Sequence, residues 1–235
     1  MTRDRPATRV VLALSLVALA LTGIALSVWQ VQRRAWKHAL IEAVESRSTA
    51  APVDAPGPEA WPRIAADRDA YRPVAFTGRF AHDREVLVQA VTERGGGYWV
   101  MTPLVGDRFT VLVNRGFVPP DRRLRSTRIG GNPAGPVTVT GLLRITEPDG
   151  GFLRSNDPRA DRWYSRDVAA IASARALTRT APYFIDADAT ANPGGYPVGG
   201  MTVVRFSDNH LVYALTWLAL AIGCAWGAMM VWRKR

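Results

Sequence analysis

The sequence predicts a membrane-anchored α+β protein, in which two transmembrane helices flank a β-rich, mainly antiparallel, barrel-like extracytoplasmic domain. Three observations predict it. An uncharged apolar run of 19 residues, Val10 to Val28, lies near the start, and another of 22 residues, Leu211 to Trp232, lies near the end. At ~1.5 Å per helical residue each can cross ~30 Å of hydrocarbon. Between them, short alternating apolar segments are punctuated by Gly and Pro, as in strands joined by turns.

The 235 residues carry a formal charge of +10. The first tail (Arg3, Asp4, Arg5, Arg9) carries +2 and the last (Arg233, Lys234, Arg235) +3, so half the excess flanks the two spans. The positive-inside rule expects it on their cytoplasmic side. The other basic residues are scattered among acids without a basic stripe, which argues against a nucleic-acid partner. The one cysteine, Cys224, lies inside the second run, so the domain has no disulfide and no cysteine metal cluster.

The expected organisation is a cytoplasmic tail (1–9), a first span (10–31), a periplasmic domain (32–209), a second span (210–232) and a basic cytoplasmic tail (233–235). The first run has a basic leader and Ala-x-Ala at 18–20, but it outlasts a signal-peptide core of ~7–15 residues and is read as an uncleaved anchor. Two spans leave both termini in the cytoplasm of a bacterial inner membrane. The domain then faces the periplasm, or an intermembrane space if the source is mitochondrial.

The first span is expected to continue as helix to about Val44. Trp29, Arg33 and Trp36 form one stripe, as an aromatic belt with a snorkelling arginine would. Residues 50–62, with four prolines, read as an extended linker or loop. Strands are expected over Pro73–Phe80 and Glu85–Val91. Gly95 to Gly97 is read as a turn before a strand over Tyr98–Val105, and Phe109–Asn114 follows as in a hairpin. Pro119 to Pro136 reads as an exposed basic loop holding Arg122, Arg123, Arg125 and Arg128. Val137–Ile145 alternates as a half-buried strand, Asp167–Leu177 is the one good helix candidate of the domain, and Pro182–Ile185 and Met201–Phe206 are further strands. The total is about six to eight strands, with barrel closure left open.

Catalytic patterns are sparse. The three histidines, His38, His82 and His210, make no His-x-x-x-His pair, and no nucleophile elbow or phosphate loop occurs. Asp186 and Asp188 read as a solvated strand end rather than a calcium site. Asn114-Arg115-Gly116 reads as a structural turn ending a strand, with partner docking by Arg115 as the alternative. Ala219, Gly223 and Gly227 in the second span, and Gly23 and Ser27 in the first, are spaced for close helix packing, within one chain or in a homo-oligomer. His210 stands at the outer end of the second span and shares a helical face with Tyr213, Ala214 and Trp217. An imidazole there suits a haem iron, or caps and anchors the helix. Cys224 lies ~21 Å along the helix and cannot be its co-ligand. His38, on the opposite helical face from Trp29, is a poor second ligand.

Four segments, in order, resemble one family. Trp29-Gln30-Val31-Gln32-Arg33-Arg34-Ala35-Trp36-Lys37, Gly97-Tyr98-Trp99-Val100-Met101-Thr102-Pro103-Leu104, Val113-Asn114-Arg115-Gly116-Phe117-Val118-Pro119 and Asn209-His210-Leu211-Val212-Tyr213-Ala214-Leu215-Thr216-Trp217 are similar to elements of the Surfeit locus protein one (Shy-one) family of cytochrome c oxidase assembly factors. The third departs from it in Phe117, where the family has Trp. The resemblance implies a non-enzymatic membrane chaperone that binds haem a transiently and assists its insertion into oxidase subunit I, beside other assembly factors. It assigns the haem iron to His210 and makes Trp29, Arg33, Tyr213 and Trp217 candidates to line the site. The alternatives are a haem-independent scaffold for an oxidase intermediate, and a membrane-tethered periplasmic hydrolase built on His82.

Overall fold

The computed structural model describes residues 6–151, 153–202 and 209–233. The chain forms two units, a pair of helices from its two ends and the domain between them.

In the helix pair, α1 spans Pro6–Ser48 and α4 spans His210–Arg233. Both are long and apolar enough to cross a membrane, α1 over Thr8–Trp36 and α4 over its whole length. The helices run antiparallel and meet along a seam of alternating three- and four-residue steps. On α1 the shielded positions are Ala13, Leu16, Ala20, Gly23, Ser27, Gln30 and Arg34; on α4 they are His210, Ala214, Trp217, Ala221, Cys224, Ala228 and Val231. A 3.5-residue period is that of a left-handed coiled coil, and the small residues let the backbones approach. A Cβ on Gly23 would lie 3.0 Å from both the Ala221 Cβ and the Trp217 carbonyl oxygen. The Ser27 hydroxyl donates to the Ala214 carbonyl at 3.0 Å. The expected stripe is therefore half right: Gly23, Ser27 and Gly227 pack, but Ala219 and Gly223 face outward and Ala214, Ala221 and Ala228 form the seam.

In the domain, the described strands are β1 (Val53–Asp54), β2 (Pro73–Phe80), β3 (Val86–Thr92), β4 (Gly95–Val105), β5 (Thr110–Val118), β6 (Pro136–Ile145) and β7 (Thr180–Ala187). The sheet runs β1-β2-β6-β7-β5-β4-β3, and a further pairing, Arg79 with Val105 and Phe80 with Leu104, joins β2 to β4. This closes β2-β6-β7-β5-β4 into a five-stranded Greek-key barrel. Pairing within it is antiparallel except between β5 and β7, which are parallel. Inward-facing Val74, Leu104, Val111, Val113, Leu143, Tyr183 and Ile185 fill the barrel. A second core, on the barrel's outer face, packs Val86, Val88, Met101, Leu112, Phe184 and Trp163 against Val168 and Ile171 of α3 (Val168–Ala174). Asp167 caps α3 by accepting the Ala170 N–H at 3.1 Å. The remaining helix, α2 (Ala66–Asp69), is one turn.

Five expectations change. Gly95–Gly97 is strand, and Glu93-Arg94 makes the turn; at Gly97 a Cβ would meet the Val118 carbonyl and the Phe117 ring, so only glycine lets β5 come this close. Asn114-Arg115-Gly116 does not end a strand. It is a bulge inside β5, with Gly116 at φ +122° and its N–H accepted by the Asn114 side chain. The 50–62 segment is stitched to the barrel by β1 and by Pro56, whose carbonyl accepts from the Tyr183 hydroxyl (2.7 Å) and Trp61 Nε1 (3.0 Å). The basic loop holds two 3₁₀ turns, and its Arg128 is buried and paired with Glu85. Asp186 is buried, not solvated, while Asp188 is exposed. Of the expected Met201–Phe206 strand, Met201 and Thr202 are irregular and the remainder lies outside the described residues, as do Arg3, Asp4, Arg5, Lys234 and Arg235.

Candidate functional site

At one end of the helix seam, His210 and Gln30 face each other. The His210 Nδ1 lies 2.7 Å from the Gln30 Oε1. An amide oxygen only accepts, so Nδ1 carries the proton and a metal can be taken only through Nε2. A fixed second nitrogen sets the ring's tautomer and orientation, the usual support of a metal-binding imidazole. Among the described residues no cluster of three or more His, Cys, Asp or Glu side chains could hold a metal ion. Iron coordination on this chain thus rests on single-imidazole chemistry.

The other sequence-derived candidates fall in two groups. Trp217, two helical turns beyond His210, lies on the same seam and is partly shielded. Trp29 and Tyr213 are 53% and 55% exposed and face outward. Arg33 is also exposed, with its guanidinium carbon 4.2 Å over the Trp36 ring. The helix pair therefore gathers His210, Gln30 and Trp217 on its seam, with Trp29, Arg33 and Tyr213 on its outer surface. Gln30 went unassigned when the sequence was read, although it stands seven residues after Gly23. That spacing puts it in the seam.

His82 does not form a hydrolytic centre. Its Nε2 meets the Pro133 carbonyl oxygen at 3.0 Å and its ring stacks on Phe80 at 5.4 Å. Burial, ahead of the opposing Pro133 bond and Glu85, holds its pKa below the ordinary histidine value, and Arg115 adds to the fall. A base needs a nucleophile's hydroxyl or thiol in reach, and the partner here is a backbone carbonyl.

The domain's main polar centre surrounds Asp186, at the end of β7. Its carboxylate, 3% exposed, accepts from Asn114 Nδ2 (2.8 Å), Arg144 Nη1 (2.7 Å), Arg166 Nη1 (3.2 Å) and the Thr202 hydroxyl (3.0 Å). Arg166 also reaches Glu147 through Nε (2.9 Å) and Nη2 (2.5 Å). Burial depresses the Arg166 pKa, but the bond to Glu147 and the charge of Asp186 outweigh it and leave it raised. Two guanidinium groups and two carboxylates balance, so the centre is a structural clasp joining β5, β6 and β7.

The sequence profile of the SURF1 family matches residues 17–222. The chain is 36% identical to Surfeit locus protein 1 of Rattus norvegicus over 93% of this chain and 74% of that protein. It is 36% identical to Surfeit locus protein 1 of Homo sapiens, over 94% of this chain and 76% of that one. A SURF1-like protein of Monosiga brevicollis is 33% identical over 88% of this chain and 82% of its own length.

Proposed function

The chain belongs to the SURF1 family, and from that membership we propose that it is a non-enzymatic assembly factor for haem-copper (cytochrome c) oxidases, which binds haem a transiently and assists its insertion into subunit I. The observation that carries the haem part is the Gln30–His210 pair. The donor set suits iron: an imidazole presenting Nε2, its other nitrogen held by an amide oxygen. When bound, haem a supplies an iron with an axial position for that nitrogen. Gln30 orients the ring, Trp217 supplies an aromatic surface on the seam, and Trp29, Arg33 and Tyr213 are outward side chains within the same helix ends. A guanidinium such as that of Arg33 is suited to a propionate.

In this reading both helices cross a bacterial inner membrane. The basic residues at the chain ends stay in the cytoplasm and the barrel domain stands in the periplasm, where it meets the oxidase subunit and other assembly factors. The hydrolase alternative lost its support with the placement of His82. A haem-independent scaffold is the remaining contrast, and one experiment separates the two. The full chain and its His210→Ala variant are co-expressed with haem a synthesis, purified and compared by pigment spectroscopy. The wild type should retain haem a and the variant should lose most of it. Gln30→Leu should weaken retention by roughly 10- to 100-fold, the usual cost of removing a ligand's outer partner. Equal pigment in wild type and His210→Ala, or none in either, rejects the haem reading.

A further inference from the structure

One end of the barrel opens into a cavity of about 300 Å³. Its walls are the inward-facing Phe80 of β2, Val113 of β5, and Val137 and Val139 of β6, all continuous with the barrel core. Arg115 also lines it, from the β5 bulge, and is 2% exposed.

The electrostatics of Arg115 are unusual for so buried a cation. Its guanidinium donates to Asn132 Oδ1 (3.1 Å), to Asn192 Oδ1 (3.1 Å) and to the Gly131 carbonyl, and its Cζ lies 4.7 Å over the Phe80 ring. Every one of these acceptors is neutral. Three of five N–H donors are thereby used, and among the described residues no carboxylate forms an ion pair with it. The nearest acid that acts on it, Glu85, is itself paired with Arg128. Burial draws the Arg115 pKa down to about 10, with Glu85 opposing and Arg128 adding to the fall. Asp188, the acid on the cavity rim, is exposed and accepts the Thr190 N–H at 2.9 Å. Buried charges are ordinarily paired. The other guanidinium groups of comparable burial here, those of Arg128, Arg144 and Arg166, all have carboxylates.

We propose that the barrel mouth is a binding site for a small amphiphilic carboxylate, whose head group pairs with Arg115 and whose apolar tail lies against Phe80, Val113, Val137 and Val139. A concave apolar pocket with one convergent charged group is the usual form of a small-molecule site, and arginine is the side chain suited to a carboxylate. At roughly 30 Å³ per non-hydrogen atom, as in a liquid, the cavity holds about ten such atoms, which is the size of octanoate. This proposal stands independently of His210 and of the oxidase reading.

The test is calorimetric titration of the full chain in nanodiscs of uncharged lipid, with empty nanodiscs as reference. The probes are octanoate, 1-octanol of the same length without the charge, and acetate with the charge but no tail. Octanoate should bind at least tenfold more tightly than either. Val137→Trp, which fills the cavity and leaves Arg115 in place, should weaken octanoate by at least tenfold. Arg115→Gln should abolish the preference of octanoate over octanol, and Arg115→Lys should retain part of it. Because the three probes are compared on the wild-type protein, the outcome does not depend on how the Arg115 variants fold. Octanoate binding no better than octanol or acetate, or binding untouched by Val137→Trp, overturns the proposal.

Discussion

Replacing Asp186 by Asn tests whether the charged clasp holds the barrel together. The substitution keeps shape and removes one negative charge from a group that accepts four hydrogen bonds at 3% exposure. An amide offers only one oxygen. If that oxygen takes the place of Oδ1, the bonds from Asn114 and Arg166 survive as bonds to a neutral acceptor, and the new NH₂ faces Arg144 and Thr202. The threonine hydroxyl can turn and accept; Arg144 cannot, and its 2.7 Å contact is lost. Hydrogen bonds to charged groups contribute about 1.5–3 kcal/mol each, and removing one partner of a buried pair costs about 3–5 kcal/mol. Glu147, 38% exposed, still offsets one of two guanidiniums that are 17% and 14% exposed. The low end applies, about 3 kcal/mol, equivalent to a fall in Tm of roughly 6–12 °C for a chain of this size. Thermal and urea unfolding in a nonionic detergent, followed by near-ultraviolet circular dichroism, would measure it. Asp188→Asn, two residues away and exposed, should change stability by less than about 0.5 kcal/mol. An Asp186→Asn protein as stable as wild type, or no less stable than Asp188→Asn, refutes the reasoning.

Three further outcomes follow from the same contacts. Gly116→Ala should cost at least about 3 kcal/mol in urea unfolding, since φ +122° strains any L side chain and its Cβ would stand 2.0 Å from the Val198 carbonyl oxygen; Gly96→Ala, with nothing within 4 Å, should cost far less. Gly23→Val should separate the helices, because its Cβ would press on the Trp217 carbonyl and Ala221; in a Cys224→Ser background, disulfide yield between Ser27→Cys and Ala214→Cys should drop severalfold. His82 has a folded pKa below its unfolded one, so the unfolded chain takes up the proton first. Its contribution is whole above the unfolded value and is lost as pH falls from about 7 toward the folded value. His82→Gln should flatten that part of the stability profile, and an unchanged slope counts against the burial of this ring.

The sequence was most legible where local chemistry and pattern agreed. β2 begins at Pro73 and alternates inward through Val74, Phe76 and Phe80, and its bounds match the expected ones. Asp167 caps α3 as expected, although the helix is shorter than Asp167–Leu177. Legibility failed where long-range pairing decides. Barrel closure rests on a short pairing of β2 with β4, across residues 79–105, and the β5–β7 parallel pairing joins segments some 70 residues apart. No local pattern encodes either. Charged residues misled for a related reason. Arg128 and Asp186 look like surface residues, but each is buried because its partner, Glu85 or Arg144 and Arg166, is brought by another strand or loop. β5 was cut short at Asn114 because Asn-Arg-Gly has turn chemistry; that chemistry here builds a bulge and lets the strand run on to Val118.

The helix pair explains why the candidate site separates into an inner and an outer group. A 3.5-residue seam selects every third or fourth residue. His210 fixes the phase on α4, and Gln30 rather than Trp29 or Arg33 falls opposite it on α1. Only Gln30 could therefore have been the orienting partner once the helices packed through Gly23, Ser27, Ala214 and Ala221. Within the proposed function this division has a physical consequence. A resident haem protein surrounds its ring with packed side chains, and two strong axial ligands hold the iron fast. Here one imidazole is oriented in advance by a hydrogen bond, and Trp29, Arg33 and Tyr213 stand on the exposed surface, where they can change rotamer at little cost. One fixed donor gives selectivity for iron, while an adaptable outer group keeps the barrier to release low. That combination suits a carrier better than a permanent holder.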